Sequence, residues 1–237
     1  MNNIFNLNNP FFHFMGKVFD LLVLNMLWLI CCIPIVTIGP ATTAMYYVAM
    51  KIVNDDYSGV AKPFFHSFKQ NFFQGIVLTV IFIVVAVVLF FDYRFCLLFD
   101  GIAEKIMIGA FIFFGVVYLI IVSYTFPLLS QYTNSIGGTI KNALFIALTK
   151  IGTALEIVLL NLAPILIIYF FPETTGWIIP ILLFLAPAFL SFANSMLFKK
   201  VFADFIKMQE NLAEKEAQAE VDAKAVEAAQ EETPDEV

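Results

Sequence analysis

Residues 21–38, LLVLNMLWLICCIPIVTI, run for eighteen positions without a charge. At 1.5 Å per helical residue that is just enough to cross a hydrocarbon core of roughly 30 Å. Four more apolar runs follow, at 75–91, 106–129, 151–171 and 177–198. With 61% hydrophobic residues, 28 Phe and only 14% charged residues, the chain lies outside the composition of soluble domains. The pattern predicts an all-α fold, a polytopic membrane helix bundle of about five transmembrane helices with amphipathic interfacial helices between them. The lipid bilayer is its first expected partner.

Three regions are expected. Residues 1–16 mix Asn with aromatic side chains around Pro10 and read as an interfacial segment. Residues 17–208 form the five-span domain. Residues 209–237 form an acidic, Ala/Glu-rich cytoplasmic tail, helical at first and then disordered. The N-terminus lacks the basic region and cleavage site of a signal peptide, so the first span is expected to stay attached. Gly39-Pro40 is expected to interrupt the first helix, because Pro lacks an N–H and clashes with the preceding turn, and to lead the chain onto the cytoplasmic surface. There KPFFHSFKQNFFQ, at 62–74, places Phe64, Phe65, Phe68 and Phe72 at helical spacing opposite polar residues, the pattern of an amphipathic surface helix. Lys62, Phe65, Phe68, Lys69 and Phe72 are the candidate partner-binding residues.

The net charge of -6 belongs to the tail, which holds ten acidic residues and two lysines and leaves eleven basic against nine acidic residues elsewhere. A basic nucleic-acid surface is absent from the sequence. Cys31 and Cys32 are neighbours within an apolar run and Cys96 stands apart, which suits small buried hydrophobes rather than a disulfide framework. His13 and His66 are far apart, so neither a zinc site nor a cofactor is expected. If segments 51–74, 130–150 and the stretch beyond 198 share one side, that side carries eight lysines against Lys17, Arg94 and Lys105. The bias predicts an N-terminus outside and a cytoplasmic tail.

Glu156 is the one charge inside a span, and an ionised carboxylate facing lipid is expensive, so it is expected to face the bundle or a wet cavity, or to snorkel. Asn161 follows five residues later, about 140° around the helix, so the two do not form one tight site. Asn25 and Asn194 are the other deep amides. Such amides make interhelical hydrogen bonds, and Asn25, Glu156, Asn161 and Asn194 form the candidate substrate-binding set. Pro164 and Pro187 are expected to kink the fourth and fifth spans. Nucleophile, zinc and phosphate-loop motifs are all missing, so no catalytic residues and no enzyme activity are expected.

The Leu-Asn-Met-Leu-Trp-Leu at 24–29, the Ile-Pro-Ile-Val-Thr-Ile-Gly at 33–39, the Ala-Thr-Thr-Ala at 41–44 and the Phe-His-Ser-Phe-Lys-Gln-Asn-Phe at 65–72 together resemble the YesL family of bacterial membrane proteins. The resemblance extends more loosely through Pro-Leu-Leu at 127–129 and Lys-Asn-Ala-Leu at 141–144. It implies a multi-pass protein of the bacterial cytoplasmic membrane and a setting among carbohydrate-uptake genes, for a family whose own function is undefined and which is sometimes labelled a permease. It brings no catalytic residues. The Glu-Ala-Ala…Gly loop by which importer permeases grip their ATPase is missing, since Glu227-Ala228-Ala229 has no Gly after it. Two functional expectations follow. One is an accessory component of a carbohydrate ABC importer or of its assembly. The other is a small-solute transporter using a polar site near Glu156 and Asn161, acting as a homo-oligomer.

Overall fold

The computed structural model describes residues 10–56 and 59–231. Residues 1–9 of the expected interfacial segment, Tyr57 and Ser58 of the turn, and the last six residues of the tail lie outside the described residues. All regular structure among the described residues is helical: α1 (Pro10–Cys31), α2 (Ile38–Val53), α3 (Ala61–Gln70), α4 (Phe72–Cys96), α5 (Ile102–Gln131), α6 (Ile136–Thr149), α7 (Ile151–Phe170) and α8 (Thr175–Glu231), with 3-10 turns at Ile35–Thr37 and Pro172–Thr174. Five helices are long and apolar enough to cross a membrane, over Phe14–Cys31, Phe72–Cys96, Ile102–Gln131, Ile151–Phe170 and Thr175–Met208. The chain is therefore an all-α, polytopic helix bundle of membrane type. It divides into a compact unit Met1–Phe198 and a second unit Lys199–Val237, in which α8 continues to Glu231.

The first helix ends earlier than its uncharged run suggests. Pro34 cannot donate a helical hydrogen bond and pushes the residue before it out of the α region, so α1 stops at Cys31 and the backbone passes through the 3-10 turn. The expected break at Gly39-Pro40 is corrected by the structure. Both residues lie in the first turn of α2, where a missing N–H has no partner to lose and proline is tolerated.

α1 and α2 form an antiparallel hairpin. Near its turn the indole Nε1–H of Trp28 donates to Thr42 Oγ1 at 3.1 Å. At its open end Lys17 Nζ meets Asp55 Oδ1 at 2.7 Å. Asp55 stands in the left-handed region at φ 54°, a conformation Asp tolerates, and so reverses the chain directly after α2. Lys17 and Lys51, which the lysine count assigns to opposite sides, both stand at the Asp55–Asp56 end of the hairpin.

α2 is the most enclosed helix, packed against α1, α3, α4 and α5. Two contacts explain its position. A Cβ added to Gly39 would collide with Thr79 Oγ1 and the Gly75 carbonyl, and one added to Gly75 would stand 2.7 Å from the Pro40 nitrogen. Helices in lipid associate through such close approach of small residues, since their apolar side chains gain little by leaving the acyl chains. On the other side of α2, Ala44, Met45, Val48, Ala49 and Ile52 pack with Leu21, Leu24, Val60, Phe64 and Ala188.

α3 shows why its apolar stripe exists. Phe64 is fully buried in that cluster and Phe68 packs against it. The stripe is thus turned into the protein, while Lys62, Phe65, His66, Lys69 and Gln70 face outward. α4 pairs with α5, and α5 with α6 and α7. Away from α2 these helices, and the first three turns of α8, present Val, Ile, Leu and Phe outward, as helices in contact with lipid do.

Candidate functional site

A chain of neutral polar groups ties four helices together. Asn161 on α7 donates its amide N–H to Ser123 Oγ on α5 at 3.1 Å. Its oxygen accepts from Asn194 Nδ2 on α8 at 2.8 Å, and the same nitrogen donates to the phenol of Tyr46 on α2 at 3.1 Å. Tyr46 and Tyr124 both stand edge-on to Phe198, with centroids 6.1 and 4.9 Å away. Beside this network are four buried polar atoms with no hydrogen-bond partner, namely Thr43 Oγ1, Tyr124 OH, Asn194 Oδ1 and Ser195 Oγ. All four of their residues are fully buried. Unmet polar atoms in such surroundings are costly, so among the described residues these are the buried groups with capacity for a further polar partner.

The expected set of four divides. Asn161 and Asn194 join the network. Asn25 does something different: its Nδ2 donates to the carbonyls of Leu183 and Phe184 at 3.1 and 2.8 Å, and its Oδ1 accepts from the Ala188 N–H at 3.1 Å. Pro187 has no N–H to offer Leu183, and Asn25 from α1 fills that gap and inserts into the helical ladder of α8. Glu156 is exposed on the outer side of α7. Its buried neighbours Ala154, Ile157 and Val158 take the inward positions instead.

Tyr46, Ser123, Tyr124, Thr43 and Ser195 were not anticipated. The signal was available in the consecutive Ser123-Tyr124-Thr125 inside an otherwise apolar helix, and in Ser191, Asn194 and Ser195 on one stretch of α8. Of the candidate partner-binding residues, Lys62, Phe65 and Lys69 are exposed, whereas Phe68 and Phe72 are half-buried. Phe73, outside that set, is 83% exposed.

The cavities are lined mainly by apolar side chains. One groove of about 480 Å³ lies between α4 and α5, lined by Phe82, Val85, Leu89, Phe114 and Tyr118, with Asp92 as its one charged residue. Another of about 260 Å³ lies between α7 and α8, around Pro164, Ile168, Leu182 and Pro187. Neither is lined by the Asn161–Asn194 network. Among the described residues no group of three His, Cys, Asp or Glu could hold a metal ion. The network supplies hydrogen bonds without an acid–base pair.

The family described as "Protein of unknown function, DUF624" matches residues 21–93. The chain is also 28% identical, over 151 residues, to the "Uncharacterized protein YesL" of Bacillus subtilis (strain 168), covering 62% of this chain and 71% of that one. No solved structure matches. The family match spans the helices that carry the Leu24–Leu29 and Ile33–Gly39 motifs, and the two matches together support a YesL-like family for this chain.

Proposed function

We propose that the chain is an accessory protein of the bacterial cytoplasmic membrane that works by contact with a partner, in the setting of carbohydrate uptake that the family resemblance implies. The observation that carries this reading is the closure of the polar interior: Asn194, Thr43, Tyr124 and Ser195 are fully buried, and the large grooves, lined mainly by apolar side chains, do not reach them. A solute route needs polar groups lining a wet passage, and these are sealed. The outward side of α3, with Lys62, Phe65, Lys69 and the neighbouring Phe73, is the contact surface, mixing basic and aromatic residues as interfaces do. Purification in mild detergent is expected to bring down subunits or the ATPase of a carbohydrate importer, and the double variant Lys69→Glu, Phe73→Ser is expected to lose them at unchanged yield. Repeated recovery of the chain alone would defeat the proposal.

The four unpaired buried atoms favour a second reading, a small-solute transporter, acting alone or as a homo-oligomer. It requires Asn194→Leu and Glu156→Gln to abolish uptake in reconstituted vesicles without loss of folded protein. Unchanged uptake removes it.

A further inference from the structure

The N-terminal hairpin has one charged end and one uncharged end. Lys17 and Asp55 pair at the first, beside Lys51 and Asp56. At the other, from the last turn of α1 through the 3-10 turn to the start of α2, no residue is charged, and Ile30, Ile33, Ile35 and Val36 are exposed. An aqueous loop would carry polar residues at such positions. This tip is built for hydrocarbon.

The path of the chain then fixes how the tip reaches the hydrocarbon. α3 and α4 are separated by Asn71 alone, where the last bond of α3 runs from the Asn71 N–H to Ser67 O at 3.0 Å and the first of α4 from the Gly75 N–H to Asn71 O at 2.8 Å. α3 packs on α2 and α1 rather than back along α4, so it lies beyond the starting end of α4 and not beside its far half. With Lys62, His66, Lys69 and Gln70 exposed, α3 belongs at the aqueous face. α2 packs on α3 and delivers Lys51, Asp55 and Asp56 to that face, and α1 leaves it at Lys17. The tip stops early: Gly39 is held by Gly75 and Thr79, in the first two turns of α4. From there α4 runs on to Cys96, past Asp92 and Arg94.

We propose that α1, the 3-10 turn and α2 form a re-entrant hairpin, inserted from the face that carries α3, with Ile30, Ile33, Ile35 and Val36 seated among the acyl chains of a single leaflet. Its beginning and end lie on the same side, and α4, α5, α7 and α8 make the crossings. The Phe198 end of α8 opens to that side too, because Phe198 packs on Tyr124, two turns before the end of α5, and the residues just after α5 meet the start of α4 where Gln74 donates to the Asn134 carbonyl at 2.7 Å. Moving Lys17 to this face leaves Arg94 and Lys105, around the α4–α5 turn, on the opposite one, so the face with α3 is cytoplasmic by the positive-inside rule. The sequence-based expectation of an external N-terminus is thereby reversed, independently of any partner.

Two measurements on the full chain test this. A fluorescent protein that matures only in the cytoplasm, fused before Met1 or after Val237, is expected to fluoresce in both positions, and alkaline phosphatase fused at either end is expected to be inactive. Phosphatase activity from the N-terminal fusion overturns the proposal. In a variant with Cys31, Cys32 and Cys96 replaced by Ala, a membrane-impermeant maleimide on intact cells is expected to label Glu173→Cys at the α7–α8 turn and to leave Val36→Cys at least tenfold less labelled. Equal labelling of the two positions would mean that α1 and α2 each cross fully, and the re-entrant hairpin would be wrong.

Discussion

α2 and α4 meet at Gly39 and Gly75 and are otherwise opposites. α4 is built of Val, Ile and Phe, and from Val80 to Phe95 most of its side chains are exposed. α2 contains Gly39, Ala41, Thr43, Ala44, Tyr46 and Ala49 and is enclosed almost all round. In a soluble protein the order would be the reverse, with the most apolar helix at the centre. Lipid already offers Val and Phe an apolar neighbour, so their transfer into the protein gains little. Small residues gain close packing, and polar residues gain a partner they cannot find among acyl chains. The interior of this protein is therefore marked by Gly, Ala, Thr, Asn and Tyr.

The sharpest way to break that contrast is to enlarge one small side chain at each place. Gly75→Ala forces a Cβ to within 2.7 Å of Pro40, and is expected to cost about 3 kcal/mol, the upper range for overpacking. Ala86→Val on α4, at an exposed position, is expected to change stability by less than about 0.5 kcal/mol. Thermal unfolding in detergent, followed by size-exclusion recovery, compares the two. Equal losses would erase the distinction between the helices.

A smaller effect is expected where α1 inserts into α8. Asn25→Leu removes three hydrogen bonds and strands the Leu183 carbonyl that Pro187 leaves unmet, for a loss of about 2 kcal/mol. If Pro187→Ala restores the helical bond in the Asn25→Leu background and recovers stability, the insertion is confirmed as compensation for the proline. No recovery would mean that Asn25 acts by packing alone. The smallest effect belongs to Lys17 and Asp55, whose side chains are 21% and 61% exposed. A double-mutant cycle is expected to give about 0.5 kcal/mol, as for other solvent-reached ion pairs, and more than about 2 kcal/mol would require a buried pair there instead.

Much of this architecture is legible in the sequence. The five long apolar helices follow from uncharged length, and the role of Asn161 and Asn194 as interhelical donors follows from the cost of an amide in lipid. Two prolines six residues apart defeat the same logic. An uncharged run does not say where its helix stops, and Pro34 ends α1 while Pro40 helps begin α2, a difference of position within the turn and not of residue type. The lysine count adds charges by segment and cannot see that α1 and α2 fold back on each other, bringing Lys17 to the end of the hairpin that holds Lys51. Glu156 was ambiguous for a geometric reason: each residue turns the helix by 100°, and only the neighbours of α7 decide that Ala154, Ile157 and Val158 face inward while Glu156 does not.

The insertion of Asn25 into α8 also sets an order of assembly. Its partners lie 158 to 163 residues further along the chain, so at about 5–20 residues per second the ribosome needs on the order of ten seconds or more to supply them. Throughout that interval the amide of Asn25 has none of the partners it holds in the finished protein. The oldest part of the protein is thus the last to be completed, and any chain cut short before Leu183 ends with an open seat at Asn25.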